Sequence, residues 1–218
     1  KIKGMILTGQ NPATSINSQY QRTAMQNLDW LVVLDFYETE SAAFWKRIAG
    51  VEDPSKVKTE VWFIPAAHIA EKDGTMTQTA RTIQWHDKAA DAPGQAHSDL
   101  YFWYHLGKRL KKRYANSTEK RDLGIKNITL DYDPDPKDVA EWKIKDEPSA
   151  FKIFREINGF EIKTGNILNS FASLAADGTP AAGAWIYTGA LQLVSGQIVN
   201  RARMTPGMSG PYCFFVPA

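Results

Sequence analysis

Three short apolar runs in the first third of the chain are each followed by polar or turn-forming residues. The runs are GMILT at 4–8, WLVVL at 30–34 and VWFI at 61–64. A short apolar run bounded by turn residues is typical of a buried strand. Because helical or loop segments separate the runs, we expect parallel strands in one sheet, joined by short right-handed connections.

Helices are predicted at 18–27, 42–49, 100–114 and 149–157. Ser98 stands where the N-cap of the third helix is expected, and Asn158-Gly159 ends the fourth. The stretch from 115 to 161 is rich in proline and aspartate, which indicates an irregular excursion. We therefore expect an α/β domain over 1–115 and, over 116–218, an insertion and extension that packs on the same domain.

Polar residues follow the predicted strands at the positions where α/β sheets bind ligands, beyond the carboxyl ends of the strands. Gly9 and Asn11 follow the first strand, and Asp35 ends the second. An acid there reads a ribose or a base in dinucleotide-binding folds, but the glycine fingerprint of those folds is absent. The pattern therefore indicates either a nucleotide-handling unit of a different kind or only a βαβ unit.

The stretch 62–85, WFIPAAHIAEKDGTMTQTARTIQW, is predicted as a strand followed by a polar loop. Its second half carries many donors and acceptors, including Lys72 and Asp73, just past the end of the third strand. It is interpreted either as part of a ligand site or as a solvated loop with an Asp-Gly turn.

Composition narrows the classes of function. The chain has 218 residues and a net charge of +2, so one large or two small domains are expected, and a nucleic-acid partner is not indicated. Its single cysteine, Cys213, excludes an internal disulfide framework, a cysteine-based zinc site and an iron–sulfur cluster held by this chain alone. No apolar run is long enough to predict a membrane span. The histidines at 68, 86, 97 and 105 lack metal-ligand spacing, so we expect them to be structural.

Three motifs in a fixed order carry a family resemblance. GQNPA at 9–13, VVLDFYETESA at 32–42 and IPAAHIAEKDGTMTQTARTIQW at 64–85 resemble the molybdopterin oxidoreductases. These enzymes hold molybdenum or tungsten with two molybdopterin guanine dinucleotides. The segment APGQAHSD at 92–99 also fits, and ILNSFASLAADGTPAAGAWIYTG at 167–189 is similar to the catalytic alpha subunit of formate dehydrogenases. The resemblance is weakest over 116–160, and it departs from the common pattern at Gln78, at Ala80 and over 201–218.

The resemblance implies that the chain is one piece of a catalytic subunit, the Rossmann-like third-domain unit that grips one guanine dinucleotide. A chain that starts on Lys1 without methionine is consistent with such a piece, although proteolytic maturation would explain that start equally well. The implied reaction is the oxidation of formate to carbon dioxide or its reverse. The metal ligand and a 4Fe-4S cluster are expected in other parts of the subunit. The isolated chain is therefore expected to be inactive.

The implied partners are the rest of the catalytic subunit and an iron–sulfur electron-transfer subunit. The implied location is the periplasm, with the cytoplasm as the alternative. Two other functions stay open: a non-catalytic nucleotide- or partner-binding module, and a related reductase of the nitrate or arsenate type.

The resemblance also assigns five cofactor-binding residues, and it places no catalytic residue and no metal ligand in this chain. Asn11 matches the asparagine that meets the cofactor after the first strand. Leu34 and Asp35 match the pair at the end of the second strand, where a backbone group and a carboxylate read the guanosine. Lys72 matches the lysine of an E-K-x-G loop, and Asp99 the aspartate before a helix.

For Asp35, structural roles remain as alternatives. Its carboxylate could instead cap the following turn, or pair with Arg22 or Lys46, since a buried carboxylate is usually paired.

Overall fold

The computed structural model describes residues 2–46, 53–78, 82–134, 147–194, 197–200 and 214–215. The α-helices within these ranges are α1 (Ser18–Met25), α2 (Asp99–Tyr114), α3 (Leu123–Asn127) and α4 (Ala150–Asn158). The strands are β1 (Gly4–Thr8), β2 (Trp30–Asp35), β3 (Glu60–Pro65), β4 (Gly74–Gln78), β5 (Thr82–His86), β6 (Phe160–Glu161), β7 (Pro180–Ala181), β8 (Leu191–Val194), β9 (Gln197–Asn200) and β10 (Phe214–Phe215).

The three predicted strands form one parallel sheet in the order β1-β2-β3. Thr8 pairs with Leu34, and Leu34 pairs with Ile64, so the strands are in register at their carboxyl ends. The parallel sheet with its helices confirms the predicted α/β fold class and is consistent with a Rossmann-like unit.

One face of this sheet packs on a hydrophobic core. Leu31 and Val33 of β2 are fully buried there, and Leu7 of β1 is nearly so. Met25 of α1 and Phe44 cover them. Full burial of a Leu or Val side chain contributes about 1.5–3 kcal/mol, so this cluster anchors α1 on the sheet.

The polar stretch after β3 is not a loop, as the sequence had suggested, but an antiparallel hairpin. β4 pairs with β5, with Thr77 opposite Ile83 and Thr75 opposite Trp85. Ile83 and Trp85 are buried. Apolar and polar residues alternate over 82–86, as is typical of a half-buried strand. This alternation could have predicted β5 from the sequence. Residues 79–81 lie outside the described residues.

A second hydrophobic core forms between this hairpin and the later part of the chain. Trp85 stacks on Phe154 of α4, with ring centroids 5.8 Å apart and an angle of 12° between the ring planes. Ile167, Tyr187 and other buried residues complete the cluster. The later segment is thus tied to the hairpin by apolar burial, and the proposed domain division at residue 115 stays a prediction.

Three of the four helices predicted from the sequence are present as α1, α2 and α4. The helix predicted at 42–49 is wrong over its described part, where Phe44–Lys46 forms a single 3-10 turn. Residues 47–52 lie outside the described ranges. None of the helices in those ranges has the length and apolar character needed to span a bilayer.

Candidate functional site

The carboxyl ends of the three parallel strands meet at one edge of the sheet. The Gly9 N–H donates to the Leu34 carbonyl at 3.0 Å, and the Ala66 N–H donates to the Asp35 carbonyl at 3.0 Å. The Ala67 N–H donates to the His97 carbonyl at 2.8 Å, which brings the start of α2 to the same edge. We call this region the carboxyl edge, and all five residues assigned from the resemblance lie on it or on the segments that leave it.

Gly9 takes a conformation at this edge that favours glycine. Its φ is +60°, and a Cβ added there would meet no atom within 4 Å. The backbone after β1 is therefore open on its outer side, as the close approach of a ligand would require.

Asn11 joins the loop after β1 to the loop after β2. Its Oδ1 accepts from the Ser41 N–H at 3.1 Å and from the Ser41 Oγ at 2.7 Å. Its Nδ2 donates to Glu40 Oε2 at 2.7 Å. An asparagine has two acceptor sites and two N–H donors, so the oxygen is fully used, and one N–H is left over.

Ser41 extends this connection into the interior. Its side chain is fully buried, and its Oγ accepts from the Ala13 N–H at 3.1 Å. The Asn11 amide also lowers the pKa of the exposed Glu40 carboxyl below its ordinary value. Glu40 and Ser41 were not identified from the sequence, because nothing in their local pattern indicates which residue they would meet.

Asp35 lies at the centre of the carboxyl edge. Its Oδ1 accepts from the Phe36 N–H at 2.8 Å, which is the turn-capping role weighed as a structural alternative. Its Oδ2 has no hydrogen-bond partner among the described residues. The suggested partners are engaged elsewhere: Arg22 donates to the Ala13 carbonyl, and Lys46 pairs with Glu38.

Leu34 contributes its backbone carbonyl, and not its side chain, to this edge. Its side chain is buried, and its carbonyl accepts the Gly9 N–H. Phe36, directly after Asp35, is 57% exposed, and its ring centroid lies 5.4 Å from that of His68. An exposed aromatic residue thus directly follows Asp35 in the chain, and the sequence reasoning had not singled it out.

Lys72 and Asp99 form an ion pair beyond the end of β3. Lys72 Nζ lies 2.7 Å from Asp99 Oδ2, and both side chains are partly buried. Asp99 is in the first turn of α2, whose N-cap Ser98 accepts from the Tyr101 N–H at 2.9 Å. The structure therefore brings these two assigned residues into contact, while Asn11 lies in a separate cluster with Glu40 and Ser41.

A second acid supports the start of α2. The Ser98 hydroxyl donates to Glu147, and His97 Nδ1 lies 3.5 Å from Glu147 Oε2. Burial raises the pKa of the Glu147 carboxyl, and the contacts with Ser98 and His97 oppose that rise. These contacts hold Glu147 against the start of α2. Among the described residues, no cluster of His, Cys, Asp and Glu has a metal-binding arrangement.

Comparison with known proteins finds subunits of formate dehydrogenases. The chain is 36% identical to formate dehydrogenase 2 subunit alpha (cytochrome c-553) of Nitratidesulfovibrio vulgaris over 94% of its length. It is 34% identical to formate dehydrogenase subunit alpha of Megalodesulfovibrio gigas over 87%. It is 30% identical to the major subunit of the nitrate-inducible formate dehydrogenase of Escherichia coli over 96%. The chain is homologous to formate dehydrogenase alpha subunits.

The match covers only part of each family member. The chain spans about a fifth of the length of these curated relatives: 20%, 19% and 21% in the order given. No protein-family model matches the chain. The relationship to formate dehydrogenase alpha subunits therefore rests on the alignments along nearly the whole chain, and they confirm the resemblance stated from the motifs.

Proposed function

We propose that this chain is the nucleotide-binding α/β unit of the catalytic subunit of a formate dehydrogenase. The complete subunit would oxidise formate to carbon dioxide, a proton and two electrons, at molybdenum or tungsten held by two molybdopterin guanine dinucleotides. The observation that carries the proposal is the identity of 30–36% to formate dehydrogenase alpha subunits along nearly the whole chain.

The carboxyl edge has free bonding capacity of the type that a guanine dinucleotide needs. Asp35 Oδ2 has no partner among the described residues, and a carboxylate can accept from the N1–H and N2–H₂ edge of guanine or from a ribose hydroxyl. Asn11 keeps one N–H donor. Lys72 gives one of its three ammonium donors to Asp99 Oδ2. The residues present therefore fit the nucleotide part of the cofactor.

In this proposal the chain positions the nucleotide and takes no part in the reaction. When bound, the cofactor supplies the metal at which formate is oxidised and a route for the electrons. Asp35 reads the nucleotide, and Lys72 contributes positive charge beside anionic or carbonyl groups. Asn11 has a double role, because the hydrogen bonds that hold the two loops together also orient its remaining N–H.

The proposal extends to partners and location. The remainder of the catalytic subunit would carry the metal ligand and a 4Fe-4S cluster, and an iron–sulfur subunit would take the electrons. The motifs at 167–189 support a subunit of the periplasmic kind, with the cytoplasm as the alternative.

The decisive experiment uses the complete polypeptide that contains this sequence. We expect anaerobically purified protein to reduce a dye with formate and to contain molybdenum or tungsten and guanine nucleotide. The purified 218-residue chain is expected to show no formate-dependent turnover, because a metal ligand is not among the residues assigned to it.

Two outcomes would contradict the proposal. If the complete polypeptide carries the metal but turns over nitrate or arsenate and not formate, formate is excluded as the substrate. Formate oxidation that tracks with the purified 218-residue chain would exclude the assignment of the chain as one part of a larger catalytic unit.

A further inference from the structure

An exposed aromatic pair lies on the segments that leave the carboxyl edge. Phe36 follows Asp35 directly, and its ring centroid lies 5.4 Å from that of His68, which is also exposed. The Ala66 N–H, two residues before His68, donates to the Asp35 carbonyl at 3.0 Å, so the two segments are joined at this edge. Ligand sites combine aromatic surface with a few fixed polar groups, and the carboxyl edge has both.

The backbone of Phe36 is tied to the carboxylate of Asp35. The Phe36 N–H donates to Asp35 Oδ1 at 2.8 Å. Covalent geometry therefore keeps the Phe36 ring within about 8 Å of that oxygen. A purine base can span this distance, with its face on the ring and one edge at the carboxylate.

The imidazole of His68 is fixed by the cap of a 3-10 turn. Its Nδ1 accepts from the Ala70 N–H at 3.2 Å, and the His68 N–H donates to Glu71 Oε2 at 2.8 Å. A neutral imidazole whose Nδ1 accepts a hydrogen bond carries its proton on Nε2. Within the described part of the chain this Nε2–H has no acceptor. His68 therefore offers one donor from a defined position.

These groups match guanine and not adenine. The N1–H and N2–H₂ groups of guanine suit Asp35 Oδ2, and its O6 and N7 atoms accept hydrogen bonds on another edge. Adenine has an acceptor at N1 and an amino group in place of O6, so neither Asp35 nor the His68 donor finds the same set of partners. The aromatic face is common to both bases, so a stacking ring does not distinguish them.

We propose that Phe36 and His68 recognise the guanine base together with Asp35: the Phe36 ring stacks on the base, and His68 Nε2–H donates to O6 or N7. The proposal rests on the proposed function in one respect, that the ligand is a guanine dinucleotide. The angle of 53° between the two ring planes suits this division, because a base parallel to Phe36 meets the imidazole obliquely, where an N–H can reach its edge. Phe36 then contributes affinity, and His68 contributes selectivity.

The test is nucleotide binding by the complete catalytic subunit, purified from cells that cannot make the pterin cofactor, with GDP and ADP as probes in titration calorimetry. Phe36→Leu keeps an apolar side chain and removes the ring, so we expect the affinities for GDP and ADP to fall together, each about tenfold. His68→Asn keeps an acceptor suited to the cap and removes the Nε2–H. We expect it to weaken GDP binding about fivefold and to leave ADP binding unchanged.

The matched control is a second aromatic pair of the same geometry. Phe171 and Trp185, in the later part of the chain, have ring centroids 5.4 Å apart and an angle of 51° between the ring planes. Phe171→Leu should leave the affinities for GDP and ADP unchanged. The thermal midpoint of each variant shows that it is folded.

The cofactor-loaded subunit provides a second measurement. Guanine-nucleotide content per purified protein should fall in Phe36→Leu and stay full in Phe171→Leu. Equal contents in these two variants would overturn the inference. So would parental GDP and ADP affinities in Phe36→Leu, an unchanged ratio of the two affinities in His68→Asn, or a parent subunit that binds GDP no more tightly than ADP.

Formate oxidation by the loaded parent subunit is measured beside these contents. Turnover and full guanine content in the parent, with no effect of Phe36→Leu or His68→Asn, would leave the proposed function standing and remove this inference. A loaded parent subunit without formate turnover would instead contradict the proposed function, whereas the nucleotide affinities of the variants still decide the roles of Phe36 and His68.

Discussion

Asp35 is the residue on which the proposed nucleotide recognition most depends. Asp35→Asn keeps the Oδ1 that accepts the Phe36 N–H and replaces the free carboxylate oxygen with an N–H₂ donor. We expect the complete subunit to retain its cofactor less tightly by about 1.5–3 kcal/mol, because one charge-assisted hydrogen bond is lost. The measurement is metal and guanine-nucleotide content per purified protein, together with the thermal midpoint.

Two further variants serve as controls for this measurement. Asp53→Asn changes another aspartate that accepts from a nearby backbone N–H, far from the carboxyl edge in sequence, and should leave cofactor content unchanged. Leu34→Ala truncates a buried core side chain and should lower the thermal midpoint most. Full cofactor content in Asp35→Asn with a lowered midpoint would show that the carboxylate is structural.

Asn158 is a buried polar residue whose amide makes four hydrogen bonds within the described part of the chain. Its Nδ2 donates to the carbonyls of Gly159 and Leu168, and its Oδ1 accepts from the N–H groups of Gly189 and Leu191. Asn158→Ala leaves these buried backbone groups without their partner. We expect the free energy of unfolding to fall by at least about 3 kcal/mol, measured by urea denaturation of the 218-residue chain.

An exposed asparagine provides the matched control. Asn27 donates only to carbonyls of its own helix at 3.3 and 3.4 Å, in an exposed setting. Asn27→Ala should change the free energy of unfolding by less than about 0.5 kcal/mol. Equal effects of the two variants would show that the buried network does not stabilise the fold.

At the scale of elements, α2 depends on its N-terminal cap. Ser98 accepts from the Tyr101 N–H at 2.9 Å, and its hydroxyl also donates to Glu147. Ser98→Ala removes both bonds, and we expect a loss of about 0.5–2 kcal/mol in the free energy of unfolding. Urea denaturation followed by circular dichroism measures it.

The control for this prediction is a serine without a capping role. Ser173 is in an exposed 3-10 turn, where its hydroxyl meets only that of Ser170, at 3.3 Å. Ser173→Ala should change the free energy of unfolding by less than about 0.5 kcal/mol relative to the parent chain. If Ser98→Ala has no larger effect than this control, the cap does not stabilise α2.

At the scale of the whole molecule, His86 of the hairpin links stability to pH. Burial lowers the pKa of His86 below its ordinary value of 6.5; Asp73 and Asp87 raise it, and Lys72 lowers it further. The unfolded chain therefore takes up this proton at a higher pH than the folded chain. Stability from this group is present above pH 6.5 and is lost as the pH falls through the lower folded-state pKa.

His86→Gln removes this titration, so we expect the variant to lose less stability than the parent chain between neutral and mildly acidic pH. Urea denaturation at a series of pH values on either side of 6.5 measures the difference. An unchanged pH dependence in the variant would show that burial does not lower the pKa of His86.

The local sequence pattern was sufficient to predict those features that depend on interactions between residues close together in the chain. The strands of the parallel sheet follow from short apolar runs bounded by turn residues, and α2 begins where Ser98 and Asp99 predict a cap and a favourable first turn. The carboxyl edge follows as well, because parallel strands end on one side of a sheet. The resemblance to formate dehydrogenase alpha subunits follows from motifs in a fixed order, and the relatives confirm it.

Tertiary contacts decided what each polar residue does. Asn11 meets Ser41 across 30 positions of sequence, and Lys72 meets Asp99 across 27. Asn158 reads locally as the end of a helix, yet its amide joins four backbone groups in the second core. The polar stretch after β3 became a hairpin because burial of Ile83 and Trp85 against Phe154 outweighs its loop-like composition. Such partners depend on which segments the folded chain brings together, and local propensity carries no information about that.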